Sequence, residues 1–101
     1  MALHAKFGDL MKEGSTLQAQ LQELTEFENW CVERDAWKDR VCSAFSAMGL
    51  PTESEAFLRA AEDAPRVTGV WDLRKKREYF GTAMEYHRRK LEQIVDRRLP
   101  D

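Results

Sequence analysis

Two histidines and two cysteines are the residues best suited to metal binding or nucleophilic catalysis in this 101-residue chain. A zinc or carboxylate-bridged metal site needs ligands repeated at short helical spacing, and neither His4 nor His87 has a second histidine or cysteine three or four positions away. On one helix, the Cα atoms of Cys31 and Cys42 would lie about 16 Å apart, which is too far for a disulfide. We therefore expect no metal, no cofactor and two free thiols.

Phosphate-binding loops and nucleophile elbows are also missing from the sequence. The five glycines are scattered along the chain, and none of them belongs to a Walker, dinucleotide-binding or Gly-x-Ser-x-Gly pattern. A catalytic pair could form only across space, between Cys31 or Cys42 and His87. Because cysteine on the inner face of a helix is usually a small hydrophobic residue, we predict that the chain is not an enzyme.

Tryptophan and arginine at helical spacing point instead to protein binding. Trp30 and Trp37 are seven residues apart and share a helix face, and Trp71 stands at the start of the last helix. Arg34 and Arg77 interrupt apolar faces, where an unpaired guanidinium is costly. Tryptophan and arginine are favoured at binding hot spots. The predicted partner-contact residues are Trp30, Arg34, Trp37, Trp71, Arg74, Arg77, Arg88 and Arg89.

A structural alternative stays open for each of these side chains. The tryptophans could pack in the core, and His87 could be a buried core or interface histidine. The two arginines on apolar faces could pair with carboxylates at the edge of the core, such as Glu55 or Asp72. Burial and contacts in the folded chain decide between these alternatives.

Charge is distributed unevenly, although the formal net charge is only −2. Residues 1–69 hold 7 Lys/Arg and 12 Asp/Glu, whereas residues 70–100 hold 9 and 5. Basic runs recur in the last helix, and positions 14 apart share a face, so they could form a basic stripe about 20 Å long. This stripe predicts, as the alternative function, nucleic-acid binding by the last helix, 70–98. Neutralisation by the acidic part of the chain is the other interpretation.

Apolar residues in 4-3 spacing predict the first helix over residues 2–23. Gly14 falls on the apolar face of that helix and costs about 1 kcal/mol relative to alanine. A missing side chain at this position would let another helix approach closely. A break at Gly14-Ser15 is the alternative.

Capping residues, glycine and proline predict the other helix limits. The runs 25–28 and 52–55 are each a capping box, which predicts one helix to about residue 48 and a short helix to about residue 62. Gly49 and Pro51 end the former. The last helix is expected from residue 70 or 72 to residue 98, with an apolar face in 4-3 steps.

No strand pattern and no apolar run long enough to span a membrane occur in the sequence. Short loops between helices favour antiparallel neighbours. We predict one all-α domain, 1–101, an antiparallel bundle of three long helices and one short helix. The long apolar faces of the first and last helices predict a homodimer. Free thiols and the lack of an apolar secretory segment predict a cytoplasmic protein.

Four short segments occur in a distinctive order along the chain. They are Leu10-Met11-Lys12-Glu13-Gly14 with Leu17, Phe27-Glu28-Asn29-Trp30, Gly49-Leu50-Pro51-Thr52-Glu53-Ser54 with Phe57, and Leu91-Glu92-Gln93-Ile94-Val95. This order resembles a helical module found beside effector domains in bacterial defence proteins, here expected to stand alone. In size the chain is similar to small phage inhibitors such as anti-CRISPR proteins. The resemblance implies a non-enzymatic module that binds a protein complex.

Overall fold

Four α-helices make up the described part of the chain in this computed structural model. The structure describes residues 2–21, 27–62, 64, 69 and 72–98, with side chains from residue 7 to residue 97. The helices are 19, 21, 9 and 26 residues long: α1 (Ala2–Gln20), α2 (Phe27–Ala47), α3 (Pro51–Arg59) and α4 (Leu73–Arg98). No strand occurs within those ranges, and the predicted all-α class is confirmed.

The end of α2 is closed by Gly49, as the sequence predicts. Gly49 has a φ of +71°, in the left-handed region where a Cβ would be strained. Its N–H donates to the Ser46 carbonyl at 3.0 Å, and the Leu50 N–H donates to the Phe45 carbonyl at 2.9 Å. This pair of hydrogen bonds is a Schellman motif, which satisfies carbonyls that would otherwise lack partners at the helix end.

The start of α3 differs from the prediction, because the capping box expected at residues 52–55 does not form. The helix begins at Pro51, where a missing N–H is tolerated, and its N-cap residue Leu50 makes no side-chain hydrogen bond. The carboxylate of Glu55 pairs instead with Arg59 one turn later, at 2.9 Å. Glu55 is therefore committed within its own helix.

The start of α4 is capped by Asp72, whose Oδ1 accepts the Lys75 N–H at 2.9 Å. An aspartate in this position satisfies one of the free N–H groups of the first turn. Asp72 thus acts as a helix cap. Part of the predicted capping box at 25–28 lies outside the described residues, and α2 begins at Phe27.

The helices follow one another around the bundle. α1 packs against α2 and α4, and α3 packs against the same two helices from the other side. The pair α1/α2 therefore lies on one side of the bundle and the pair α3/α4 on the opposite side. The apolar faces meet in one cluster, formed by Phe7, Leu10, Leu17, Leu21, Trp30, Trp37, Val41, Ala44, Phe45, Phe57, Met84, Leu91, Ile94 and Val95.

Two tryptophan side chains of α2 set its register on α1. The Nε1–H of Trp30 donates to the Leu17 carbonyl and that of Trp37 to the Leu10 carbonyl, both at 2.7 Å. Trp30 and Trp37 are seven residues apart on α2, and the leucines that they bond, Leu17 and Leu10, are seven residues apart on α1 in the reverse order. The helices α1 and α2 are therefore antiparallel. Each bond satisfies a buried indole N–H, which would otherwise be costly to remove from water.

Gly14 permits this close packing of α1. A Cβ built on Gly14 would lie 2.7 Å from Cζ2 of Trp37 and 3.3 Å from Cγ of Arg88. Real Cβ atoms do not approach ring carbons so closely, so any other residue would push α2 or α4 outward. The helix continues through Gly14 without the break considered as an alternative. The close approach predicted for this position is confirmed.

Replacing Gly14 by alanine is therefore expected to lower the free energy of unfolding by about 1–3 kcal/mol, because overpacking outweighs the gain of about 1 kcal/mol in helix propensity. Gly8→Ala is the matched control. Nothing lies within 4 Å of a Cβ at Gly8, so this variant should gain up to about 1 kcal/mol. Urea unfolding followed by circular dichroism measures both, and equal stabilisation by the two substitutions would contradict the close contact.

Candidate functional site

Two of the predicted partner-contact residues, Trp30 and Trp37, lie in the core. Their side chains are 1% and 0% exposed, and both indole N–H groups bond α1. A partner could reach them only by separating the helices. The core-packing alternative is the one that the structure shows, and the placement of these two residues on a binding surface is corrected.

Arg34 is held by aromatic rings and by its neighbour in sequence. Its guanidinium carbon lies 5.6 Å from the Trp30 ring centroid and 5.3 Å from that of Phe80, which links α2 to α4 through cation–π contacts. Nη2 and Nε donate to Oδ1 of Asp35 at 2.9 and 3.1 Å. Arg34 therefore pairs with a carboxylate, as the structural alternative expected, but the partner is Asp35 rather than Glu55 or Asp72.

Arg88 and Arg89 are also engaged within the bundle. Arg88 donates to the side chains of Gln18 and Ser15 on α1, the latter at 2.7 Å. Arg89 lies 3.2 Å from Glu85, one turn earlier on α4, and stays 67% exposed. The predicted stripe of basic residues 14 apart is therefore interrupted, since Arg88 is directed to α1 and Arg89 pairs with a carboxylate.

The remaining predicted contact residues lie near the start of α4. Arg74 is exposed and Arg77 is half-buried. Trp71 lies outside the described residues. Within the predicted set, Arg74 and Arg89 are thus the arginines with exposed side chains, and their role in partner binding stays a prediction.

His87 is a buried residue of the core rather than an open reactive group. It is 3% exposed, its ring lies 5.2 Å from that of Phe57, and its Nδ1 is 2.8 Å from the Phe57 carbonyl. Because a carbonyl oxygen only accepts, Nδ1 carries the hydrogen and donates it. This bond joins α4 to the last turn of α3.

Burial lowers the pKa of His87 from 6.5 to about 4. Loss of hydration is the largest cause, and the charges of Lys38 and Arg34 lower the pKa further, while the hydrogen bond to Phe57 opposes them. The imidazole is therefore neutral at neutral pH. Such a group suits a structural role, because a general base near neutral pH needs a pKa close to 7.

The ranges that the structure describes contain no assembled site for metal binding or for thiol catalysis. No group of three or more His, Cys, Asp or Glu residues there could hold a metal ion. Cys31 and Cys42 are both half-buried free cysteines on α2. They lie eleven residues apart on that helix.

The open surface with the clearest chemical character is a pair of adjoining grooves between α1 and α2 that share Arg40, and we call the two together the acidic groove. Its carboxylates are Asp9 and Glu13 on α1 and Glu33 and Asp39 on α2. Arg40 crosses it and pairs with Glu13. Small and apolar side chains form its floor, namely Leu10, Leu17, Ala36, Ala44 and Ala47, and the neutral polar side chains of Thr16, Gln20 and Ser43 also line it. The groove therefore combines an apolar floor with a negatively charged rim.

A second surface runs along one face of α4. Five side chains follow one another at spacings of 4, 7, 4 and 7 residues, so they share one face over about 33 Å. We call it the lysine–tyrosine strip: Lys75, Tyr79, Tyr86, Lys90 and Arg97. The carboxylates Glu78, Glu85 and Glu92 repeat every seven residues on another face of the helix.

The C-terminal end of the lysine–tyrosine strip borders a groove against α3. Lys90, Gln93 and Arg97 line this groove opposite Thr52 and Glu53, and Glu53 is the single carboxylate among the described residues that line it. This end of α4 is consequently basic on the α3 side.

Sequence reasoning missed both surfaces. It searched for tryptophan and arginine, whereas the acidic groove is built from alanines and carboxylates on two different helices. The 4-7-4-7 spacing of the strip was readable in the sequence, but it was masked by the adjacent arginine runs. Asp9 and Asp39 come together only because α1 packs beside α2, and local spacing does not show which helices are neighbours.

Comparison with known proteins adds no relative. No family model, curated protein or solved structure matches the chain. Within the described helices, none is both long enough and apolar enough to cross a bilayer.

Proposed function

We propose that this chain is a non-enzymatic protein-interaction module that binds a basic surface of a partner protein in its acidic groove. The observation that carries the proposal is the combination of an apolar floor with four rim carboxylates and one arginine, open between α1 and α2. Apolar contact supplies affinity and the carboxylates supply orientation and selection against acidic partners. The half-buried free thiols support a reducing, cytoplasmic location.

A defence-associated or phage-encoded inhibitor is the role we propose for such a module. Proteins that hold nucleic acid present basic surfaces, so an acidic groove can compete for the same residues of the partner. This route requires no catalysis, in keeping with the structural positions of His87, Trp30 and Trp37. The inhibited component would be a nucleic-acid-binding subunit of a protein complex.

Selection from a displayed library of protein fragments tests this function. We expect enriched fragments to carry net positive charge and to bind Asp39→Lys about tenfold or more weakly than the unaltered chain, because like charges across an interface repel. Glu92→Lys, which makes the same charge change beside α1 and α4, is the control and should bind normally. Fragments that bind all three forms equally would refute the acidic groove as the binding surface.

Nucleic-acid binding by α4 is the second candidate function. It is favoured by the lysine–tyrosine strip, since lysines can contact phosphates and tyrosine rings can stack on unpaired bases. The exposed carboxylates of α4 argue against nucleic-acid binding, because Glu78, Glu92 and Asp96 would repel a phosphate backbone.

A further inference from the structure

The two charged surfaces of this chain lie on opposite sides of the bundle. The acidic groove belongs to α1 and α2, and the C-terminal end of the lysine–tyrosine strip, with Lys90 and Arg97, lies on α4 beside α3. One side presents Asp9, Glu33 and Asp39, and the other presents Lys90 and Arg97. The chain therefore carries both halves of an electrostatically complementary pair, directed away from each other so that they cannot meet within one molecule.

We propose that the acidic groove of one copy receives the lysine–tyrosine strip of a second copy. Lys90 and Arg97 would face the rim carboxylates, while their aliphatic stems and the Tyr86 ring would cover the apolar floor. Opposite charge on both surfaces makes a second copy a better occupant than an acidic or neutral protein.

The dimensions of the molecule permit a stable contact of this kind. The bundle measures 44 × 23 × 18 Å, so one long side can supply the ~800 Å² per partner of a standard interface. Lys90 and Arg97 lie about 10 Å apart along α4, within the length of about 21 Å over which α2 lines the groove from Glu33 to Ala47.

Such an interface joins two different surfaces rather than two identical ones. Each pair of copies leaves one acidic groove and one lysine–tyrosine strip open at its ends, so the assembly can extend or close into a ring. The homodimer predicted from apolar faces would instead use one surface twice. This self-association rests on the proposed function of the groove. A second copy would compete with the basic partner for the same site.

Sedimentation velocity on the full chain tests the proposal. Asp39→Lys reverses a charge in the groove, and Arg97→Glu reverses a charge in the strip. Glu92→Lys and Lys12→Glu make the same two charge changes on the α1/α4 side and serve as controls. We expect the unaltered chain and both controls to associate with rising concentration and to dissociate in high salt. The two test variants should associate about tenfold or more weakly. Circular dichroism checks each fold, and Lys90→Glu replaces Arg97→Glu if that variant unfolds.

Mixing the two test variants gives the decisive measurement. Arg97→Glu keeps an intact groove and Asp39→Lys an intact strip, so the mixture should form a two-chain complex that does not grow further. A mixture that stays monomeric, or an unaltered chain that never associates, overturns the proposal. So does tight binding of a single-stranded oligonucleotide, lost in Arg97→Glu, by a chain that stays monomeric.

Failure of self-association is distinguishable from failure of the proposed function. Arg97→Glu leaves the groove intact and should bind the selected cationic fragments as well as the unaltered chain does. If those fragments bind and Asp39→Lys loses them while no self-association occurs, the groove binds other proteins and the second copy is not its occupant. If self-association follows the expected pattern but no fragment binds, the groove serves assembly alone.

Discussion

Replacing Trp37 by alanine is expected to lower the free energy of unfolding by about 3–5 kcal/mol. The side chain is 0% exposed and packs against the Phe57 ring in a T-shaped arrangement at a centroid distance of 5.4 Å. Gly14 lies directly opposite and has no side chain to fill the space left by the indole. The loss would therefore combine the removal of buried apolar surface with an unfilled cavity, the two terms that make core truncations costly.

Two further variants separate the contributions of Trp37. Trp37→Phe keeps an aromatic ring but removes the hydrogen bond to the Leu10 carbonyl, so we expect a smaller loss, of which about 1 kcal/mol comes from the bond. Val32→Ala truncates a 68% exposed residue on the same helix and should change stability by no more than about 0.5 kcal/mol. Urea unfolding gives all three values. A Trp37→Ala loss no larger than that of Val32→Ala would show that the indole is not in the core.

Lowering the pH from about 7 to about 5 is expected to cost about 2 kcal/mol of stability through His87 alone. The folded chain holds its pKa at about 4, below the unfolded value of 6.5, so the unfolded chain binds the proton more readily. The stabilisation is complete above pH 6.5 and is lost as the pH falls toward 4. Burial is the main cause, since protonation would place a charge in the core beside Lys38 and Arg34.

His87→Asn is the control for this pH dependence. Its side-chain amide can donate to the Phe57 carbonyl from a position near that of Nδ1, but it does not titrate. We expect its stability to change with pH by about 2 kcal/mol less than that of the unaltered chain over the same interval. An equal change in the free energy of unfolding with pH in the two proteins would contradict the buried neutral imidazole. A His87 NMR titration midpoint near 6.5 would contradict it as well.

The conformational consequence of His87 protonation would appear first at α3. This helix has nine residues and is too short to be stable without packing, and its Phe57 carbonyl accepts the Nδ1 hydrogen. Loss of the bond therefore weakens the docking of α3 between α2 and α4. Faster amide exchange in α3 than in α1 at low pH would accompany the stability loss.

Local spacing was sufficient to predict the helices and the faces they bury. The 4-3 pattern identified the apolar side of α1, and Gly14 on that side was expected to lie against another helix, which the Trp37 contact confirms. Gly49 ended α2 as expected because its backbone needs a positive φ. The box at Thr52 failed because Pro51 begins a helix equally well without a side-chain bond.

Only the tertiary structure decided what each face meets. A helical period shows that Trp30, Arg34 and Trp37 point to one side, but it does not show whether that side contacts α1, α4 or a partner. The answer depends on contacts between residues far apart in sequence, such as Trp37 with Leu10 and Arg34 with Phe80. The Trp37 bond places α1 beside α2, and the bond of His87 to Phe57 places α3 beside α4, which separates the acidic groove from the lysine–tyrosine strip.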